Sequence, residues 1–216
     1  MIAFENLTKI YNVKGVKKVI LDNASYRFEN RKNVALMGHN GAGKSTMMRM
    51  IAGIELPTSG RVRRTEKVSW PMGFARGFNG TMTGVENVRF VSRIYGCHTE
   101  SVLEQVQEFA ELGSSLDLPI QTYSSGMKAR LAFGLSLAIS FECYLIDEVT
   151  AVGDRRFKSK SKRALKDKIK DARVVMISHS EKTIKDYCDC GVFAYGSKLY
   201  HYDDINELLR DYRKFC

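Results

Sequence analysis

Gly38-His39-Asn40-Gly41-Ala42-Gly43-Lys44-Ser45-Thr46 is the stretch on which the reading of this chain turns. An apolar run, Val34-Ala35-Leu36-Met37, leads into it, and a Met-rich segment from Thr46 to Ala52 leads out. Strand, glycine loop and helix are the context that the spacing G-x-x-x-x-G-K-[ST] requires of a phosphate-cradling loop. Glycines let the backbone curl so that successive N–H groups converge on phosphate oxygens. A helix beginning near Lys44 adds the positive end of its dipole. Lys44 is placed to reach β- and γ-phosphates, and the Ser45 hydroxyl to serve Mg²⁺. A chance glycine turn would not carry both the strand before it and the helix after it.

Outward from this loop, the length of 216 residues suits one sizeable α/β core, or one core with a small inserted subdomain. No signal-peptide pattern opens the chain, since charged residues come early. The most apolar stretch, Leu131 to Ile146, is interrupted by Glu142 and is too short to span a bilayer, so a soluble chain is expected. The cysteines at 97, 143, 188, 190 and 216 form no C-x-x-C pair and no zinc spacing, which fits a reducing cytosol. The net charge of +10 is concentrated: residues 155–173 hold ten Lys/Arg against Asp167 and Asp171. Only Phe157 interleaves them, so stacking on nucleic-acid bases has no support. The window reads as a solvated helix face, with weak attraction to anionic headgroups as a secondary reading.

Residues 1–30 read as strands, with Ala24, Tyr26 and Phe28 alternating strictly. Tyr11, in a loop before the glycine stretch, is either an ordinary strand-end aromatic or a platform for an adenine ring. Gly53 and Pro57-Thr58-Ser59-Gly60 stop the helix after the loop, and Arg61 to Ser69 reads as one short strand. Thr83 with Glu86 three residues on has the form of a capping box. Helices are expected over Gly84–Tyr95 and Thr99–Leu112. Ser124-Ser125-Gly126 precedes a helix expected over Ala129–Ser140, and a Ser-rich helix N-terminus can hold an anion. Phe141 to Ile146 is a strand ending in Asp147-Glu148. There, downstream of a phosphate loop, the Asp is suited to the Mg²⁺ shell and the Glu to polarising a water. A further apolar strand, Val174 to Ile177, ends at His179, where the carboxyl ends of parallel strands converge on ligand. A hairpin and a last amphipathic helix, with Ile205, Leu208, Leu209 and Tyr212 on one face, complete the chain.

In this order the sites resemble the nucleotide-binding domain of ABC transporters over nearly the whole chain. Gly38 to Thr46 matches the Walker A motif, and Leu145 to Glu148 matches Walker B with its catalytic glutamate. Tyr123 to Met127 matches the signature loop, Asp154 sits at the D-loop, His179 at the H-loop, and Tyr11 at the adenine-stacking aromatic. Ser125 and Met127 replace the usual Gly and Gln of the signature, and Val149 replaces the usual Pro. The usual Q-loop glutamine is missing, and Asn79, one methylene shorter, is the candidate for its place. The segments Ser69-Trp70-Pro71, Gly77 to Asn87, Tyr123 to Met127 and Asp147 to Asp154 look like the ATPase subunits of bacterial capsular polysaccharide exporters.

The resemblance implies an α/β fold: a P-loop NTPase core with an antiparallel β edge subdomain and an inserted helical subdomain. It implies a single domain over residues 1–216, with its core in 1–80 and 125–216 and its helical subdomain at about 81–140. The cofactors implied are ATP and Mg²⁺. Tyr11, Gly38, His39, Asn40, Gly41, Ala42, Gly43, Lys44, Ser45, Thr46, Asn79, Ser124, Gly126 and Asp154 would bind nucleotide, Ser45 and Asp147 the metal, and Glu148 and His179 would be catalytic. A head-to-tail homodimer, a separate integral membrane permease and a peripheral place on the cytoplasmic face of the inner membrane are implied too, with no nucleic-acid partner. The helical insert and the loop around Asn79 would dock the permease. Phe78 and Phe90 are its candidate aromatics, with core packing the expected job of Phe90. Export of another glycan, such as O-antigen or teichoic acid, is the alternative. A GTPase would need an N-K-x-D guanine reader, which is absent.

Overall fold

The computed structural model describes residues 1–28, 32–72, 77–147 and 154–216. The chain forms two compact units, residues 1–71, 142–149 and 171–216 in the first and residues 72–141 and 150–170 in the second. The second unit thus takes in the basic segment after Asp154 as well as the helical block.

The first unit is built on two sheets. The smaller is antiparallel, with β1 (Ile2–Val13) between β2 (Val16–Phe28) and β4 (Ser59–Arg64). Lys14 and Gly15 turn the first hairpin, both in the left-handed region (φ 51° and 82°) that a two-residue turn demands. The larger sheet runs β5 (Val68–Pro71), β6 (Cys143–Asp147), β7 (Arg173–Ile177), β3 (Val34–Met37), β8 (Cys190–Tyr195), β9 (Lys198–Tyr202). It is parallel except for the β8–β9 hairpin. Strands covered on both faces need no alternation. Accordingly β3 and β7 are buried along their whole length, and β6 up to Ile146.

Helix α1 (Lys44–Ala52) packs against β4 of the small sheet and β5 and β6 of the large one. It is therefore buried nearly all round, with Met47, Met48, Met50 and Ile51 without exposed surface. Unbranched thioethers fill such irregular space well, which accounts for the Met-rich sequence. Gly53, at φ 76°, ends the helix by donating to the Arg49 and Met50 carbonyls.

The stretch 61–69, read above as one strand, is two strands in different sheets. The break falls at Glu66, which turns inward to a buried ion pair. Arg173 donates to its carboxylate through Nε at 3.1 Å and again through Nη2, and the amino terminus of Met1 lies 3.2 Å away. Burial alone would raise the Glu66 carboxyl, but these bonds outweigh it and hold it below the ordinary value.

The second unit is helical: α2 (Gly84–Ile94), α3 (Thr99–Ala110), two short 3₁₀ turns, α4 (Ser125–Ala138) and α5 (Arg155–Lys168). The capping box forms as read, with Thr83 Oγ1 accepting from the Glu86 amide and Glu86 accepting from the Thr83 amide. Helix α2 buries Gly84, Asn87, Val88 and Ser92. That face leaves Phe90 on the other side at 55% exposure, so Phe90 is a surface residue and not the core residue expected. Helix α4 begins four residues earlier than expected, because the Ser124 side chain accepts from the Met127 amide and nucleates the first turn. Helix α5 turns Phe157, Ser161 and Leu165 inward. Lys160 caps the end of α3 through the Glu108 and Phe109 carbonyls and Glu111. Among the described residues no helix is long and apolar enough to cross a membrane.

Substituting Arg173 by Ala is expected to lower stability by about 3–5 kcal/mol, because a buried carboxylate loses its main partner. A shift in the urea midpoint followed by circular dichroism measures it.

Candidate functional site

The glycine loop leaves the carboxyl end of β3, with β7 and β8 on either side of that strand. Gly43 sits at φ 91°, and a Cβ there would lie 2.1 Å from Ile20 Cγ2, so any side chain would strain the backbone and displace Ile20. The Ala42 amide donates to the His39 carbonyl at 3.1 Å and closes the curl. Lys44 Nζ folds back on the loop, donating to the carbonyls of Gly38 at 2.7 Å and His39 at 3.0 Å. His39 Nδ1 lies 2.8 Å from the Asn40 carbonyl. His39, Asn40, Gly41 and Ser45 are exposed, whereas Thr46 is buried. An exposed curl of amides at a helix N-terminus, with an ammonium stored across it, is an anion receptor.

Tyr11 approaches the first turn of α1. Its hydroxyl donates to Glu55 and lies 3.3 Å from Thr46 Oγ1. Arg49 Nε donates to Glu55 Oε2 at 2.8 Å, and Arg49 Nη2 to Thr46 Oγ1 at 3.1 Å. Lys9 Nζ pairs with Glu55 Oε1 at 2.8 Å and stands 4.7 Å above the Tyr11 ring centre. Burial pushes the Glu55 carboxyl up, but hydrogen bonds from Lys9, Tyr11 and Arg49 outweigh it and hold it at about 2.

The carboxyl ends of the neighbouring strands complete this side of the unit. Asp147 closes β6 level with Ile177 of β7, and β7 pairs in turn with β3 through Ala35 and Met176. Asp147 is thus two strand spacings, about 10 Å, from the strand that feeds the glycine loop. Ser178 and the exposed His179 follow the end of β7, where Ser180 caps α6 (Glu181–Tyr187). Glu148 lies outside the described residues.

Four sequence candidates fall in the second unit. Ser124, exposed, caps α4, and Gly126 lies in the first turn of that helix. Asp154 caps α5 through the Phe157 amide at 2.9 Å and receives Arg130 Nη2 at 2.7 Å. The amide bond and then the nearby guanidinium hold its carboxyl below the ordinary value. Arg130 also lies over the Phe157 ring, so one cation ties α4 to the start of α5. Asn79 uses its side-chain oxygen locally, accepting from the Thr81 amide at 3.0 Å and Thr81 Oγ1 at 2.8 Å. Buried Asn87 fixes the Asn79 backbone, exchanging bonds with its amide at 2.9 Å and its carbonyl at 3.0 Å.

Comparison with known proteins decides the family. The ABC transporter family model matches residues 21–151. This chain belongs to the ABC transporter family. It is 47% identical over 219 residues to the polysialic acid transport ATP-binding protein KpsT of Escherichia coli, covering 99% of each chain. Identity is 43% over 212 residues to the capsule polysaccharide export ATP-binding protein CtrD of Neisseria meningitidis serogroup B, covering 98% of each. A teichoic acids export ATP-binding protein, TagH of Bacillus cereus, is 32% identical, and the match spans only 42% of that protein. In fold the chain is similar to the dimeric post-hydrolysis state of the ATP-binding cassette MJ0796 bound to ADP and Pi. The TM-score is 0.74 at 21% identity, covering 94% of this chain and 98% of that one. The α/β P-loop architecture expected above is therefore the architecture of an ABC ATPase cassette.

Within this ABC chain, the residues that sequence reasoning missed are Lys9, Arg49 and Glu55 around Tyr11, Asn87 beneath the Asn79 loop, and Arg130 beside Asp154. Each is a charged or amide side chain whose partner is distant in sequence or set by a loop, so no spacing announces it. Glu55 yields a pH test. Its depressed value means that its stabilisation is complete above the unfolded value of 4.5 and is lost as pH falls from there toward about 2. The wild-type chain is expected to lose more stability across that window than Glu55→Gln, as read from denaturant midpoints at each pH.

Proposed function

We propose that this chain is the ATP-binding and ATP-hydrolysing subunit of an exporter that carries capsular polysaccharide across the inner membrane. The observation that carries this reading is the coincidence of two things. One is a phosphate-receptor loop with its lysine in reserve. The other is identity above 40%, over nearly the full length, to ATP-binding proteins of capsule and polysialic acid export. The teichoic acid reading has weaker support, since the TagH proteins are 30–35% identical.

In this reading ATP is the substrate. Its phosphates replace the Gly38 and His39 carbonyls as partners of Lys44, and its adenine stacks on Tyr11. The amides of Gly38 to Thr46 line the phosphates. Among the described residues no group of three or more His, Cys, Asp or Glu forms a metal cage. Mg²⁺ needs none, since it keeps waters and phosphate oxygens and takes one or two protein oxygens. Ser45 and Asp147 supply a hydroxyl and a carboxylate of that kind. Mg²⁺, when bound, would supply positive charge that offsets the charge developing on the phosphates.

Glu148 polarises the attacking water and His179 contacts the γ-phosphate. The loop supplies donors on one side of that phosphate only, so the other side is closed by Ser124 to Gly126 of a second copy, head to tail, with Asp154 crossing the interface. The N-terminus of α4 is suited to that role, since Ser124 already caps it and the dipole faces the anion. Asn79 shapes the loop that receives the permease, together with the exposed Phe90 and Ile94 on α2. ATP holds the dimer together and hydrolysis releases it, and the permease reads that two-state motion. The chain then sits on the cytoplasmic face of the inner membrane through the permease.

The decisive experiment replaces Lys44 by Ala in the native host and measures capsular polysaccharide outside and inside the cell. Loss at the surface with accumulation in the cytoplasm is expected, and normal surface polysaccharide would overturn the capsule reading. In the purified protein Glu148→Gln is expected to slow ATP hydrolysis by about 10²–10⁴-fold while ATP still binds. An unchanged rate would remove Glu148 from its role.

A further inference from the structure

The cluster around Tyr11 does more than anchor a strand end. Tyr11 is half-buried, and its hydroxyl is held by Glu55 beside Thr46. Glu55 is itself fixed from two sides, by Lys9 of the same strand and by Arg49 of α1. Arg49 returns to Thr46, two residues after Lys44, so the network closes on the first turn of the phosphate-loop helix. Lys9 stands 4.7 Å above the centre of the Tyr11 ring and covers that face.

We infer that Glu55 is a positioning residue for the nucleotide: by gripping the Tyr11 hydroxyl it locks the aromatic ring in register with the phosphate loop. The inference rests on the ATP-binding reading above and adds to it what sets the distance between the base platform and the phosphate cradle. A ring ordered before binding spares the nucleotide the cost of ordering it. The carboxylate remains charged at neutral pH, since its value is held at about 2.

The test titrates the full chain with ATP and, separately, with inorganic tripolyphosphate, which has no base to stack. Glu55→Gln and Tyr11→Phe are each expected to weaken ATP about tenfold, the worth of one hydrogen bond to a charged group. Tripolyphosphate affinity is expected to stay at the wild-type value in both. The double variant is expected to be no weaker than either single one, because both changes remove the same contact. Equal weakening of both ligands would mark Glu55 as a merely structural residue and overturn the inference. Wild-type ATP affinity in Glu55→Gln and Tyr11→Phe, with loss in Tyr11→Ala, would overturn it while leaving the stacking role in place. Wild-type affinity in Tyr11→Ala would remove the stacking role and the inference together. No ATP binding by the wild-type chain would remove the nucleotide reading itself. Should Glu55→Gln fail to fold, Tyr11→Phe carries the test alone, since it deletes one oxygen and leaves the carboxylate paired with Lys9 and Arg49.

Discussion

Ile20 rests on the backbone of Gly43, at a place where any side chain would collide with it. Much of the first unit depends on that contact. It seats the small antiparallel sheet on the phosphate loop, and it requires a glycine in the left-handed region one residue before Lys44. With β2 so placed, the register of the hairpin sets Tyr11 opposite Lys18 and brings the tyrosine to the first turn of α1. Helix α1, held between two sheets, then has little freedom to shift, and Arg49 is the side chain left to carry the polar link to Glu55.

The elements carrying strong local signals were legible in the sequence. The apolar runs at Val34, Cys143 and Val174 became the three buried parallel strands, because a strand covered on both faces is written as a continuous apolar stretch. The Thr83–Glu86 capping box was readable because both bonds lie within one turn. The glycine loop was readable because backbone geometry leaves its residue types little choice. What escaped was decided by tertiary contacts. The break at Glu66 depends on Arg173, 107 residues later in the chain. The exposure of Phe90 depends on which stripe of α2 faces its neighbours, and Asn87 and Ser92 hold inward positions that a hydrophobicity reading assigns outward.

The candidate site divides in the same way. Lys44 and Ser45 were named as candidates by motif, and Asp147 by its place at a strand end. Their partners were not found, since Glu55, Arg49 and Lys9 look like ordinary surface charges until the fold gathers them around one hydroxyl. Asp154 and Arg130 make the corresponding pair in the second unit, where an N-cap carboxylate also receives the guanidinium of the preceding helix. In both places a charged side chain ties a loop of interest to a helix. Net electrostatic attraction matters less there than geometry, for an ion pair with several hydrogen-bonded partners has few ways to rearrange.

Strand β7 contributes no candidate ligand between Arg173 and Ile177, yet it stands between the strand that ends at Asp147 and the strand that opens the glycine loop. It is a ruler. The gap it sets between carboxylate and cradle is two hydrogen-bonded strand widths, and backbone pairing tunes that gap more tightly than side-chain packing can. A change of side-chain volume inside β7 would therefore disturb neighbouring layers long before it altered this gap. A slip of β7 by one residue against β3 would move the level of Asp147 against the loop by about 3.3 Å, more than the length of a magnesium–oxygen bond, about 2.1 Å. The spacing of the candidate carboxylate and the glycine loop is thus set by the register of a strand that supplies neither.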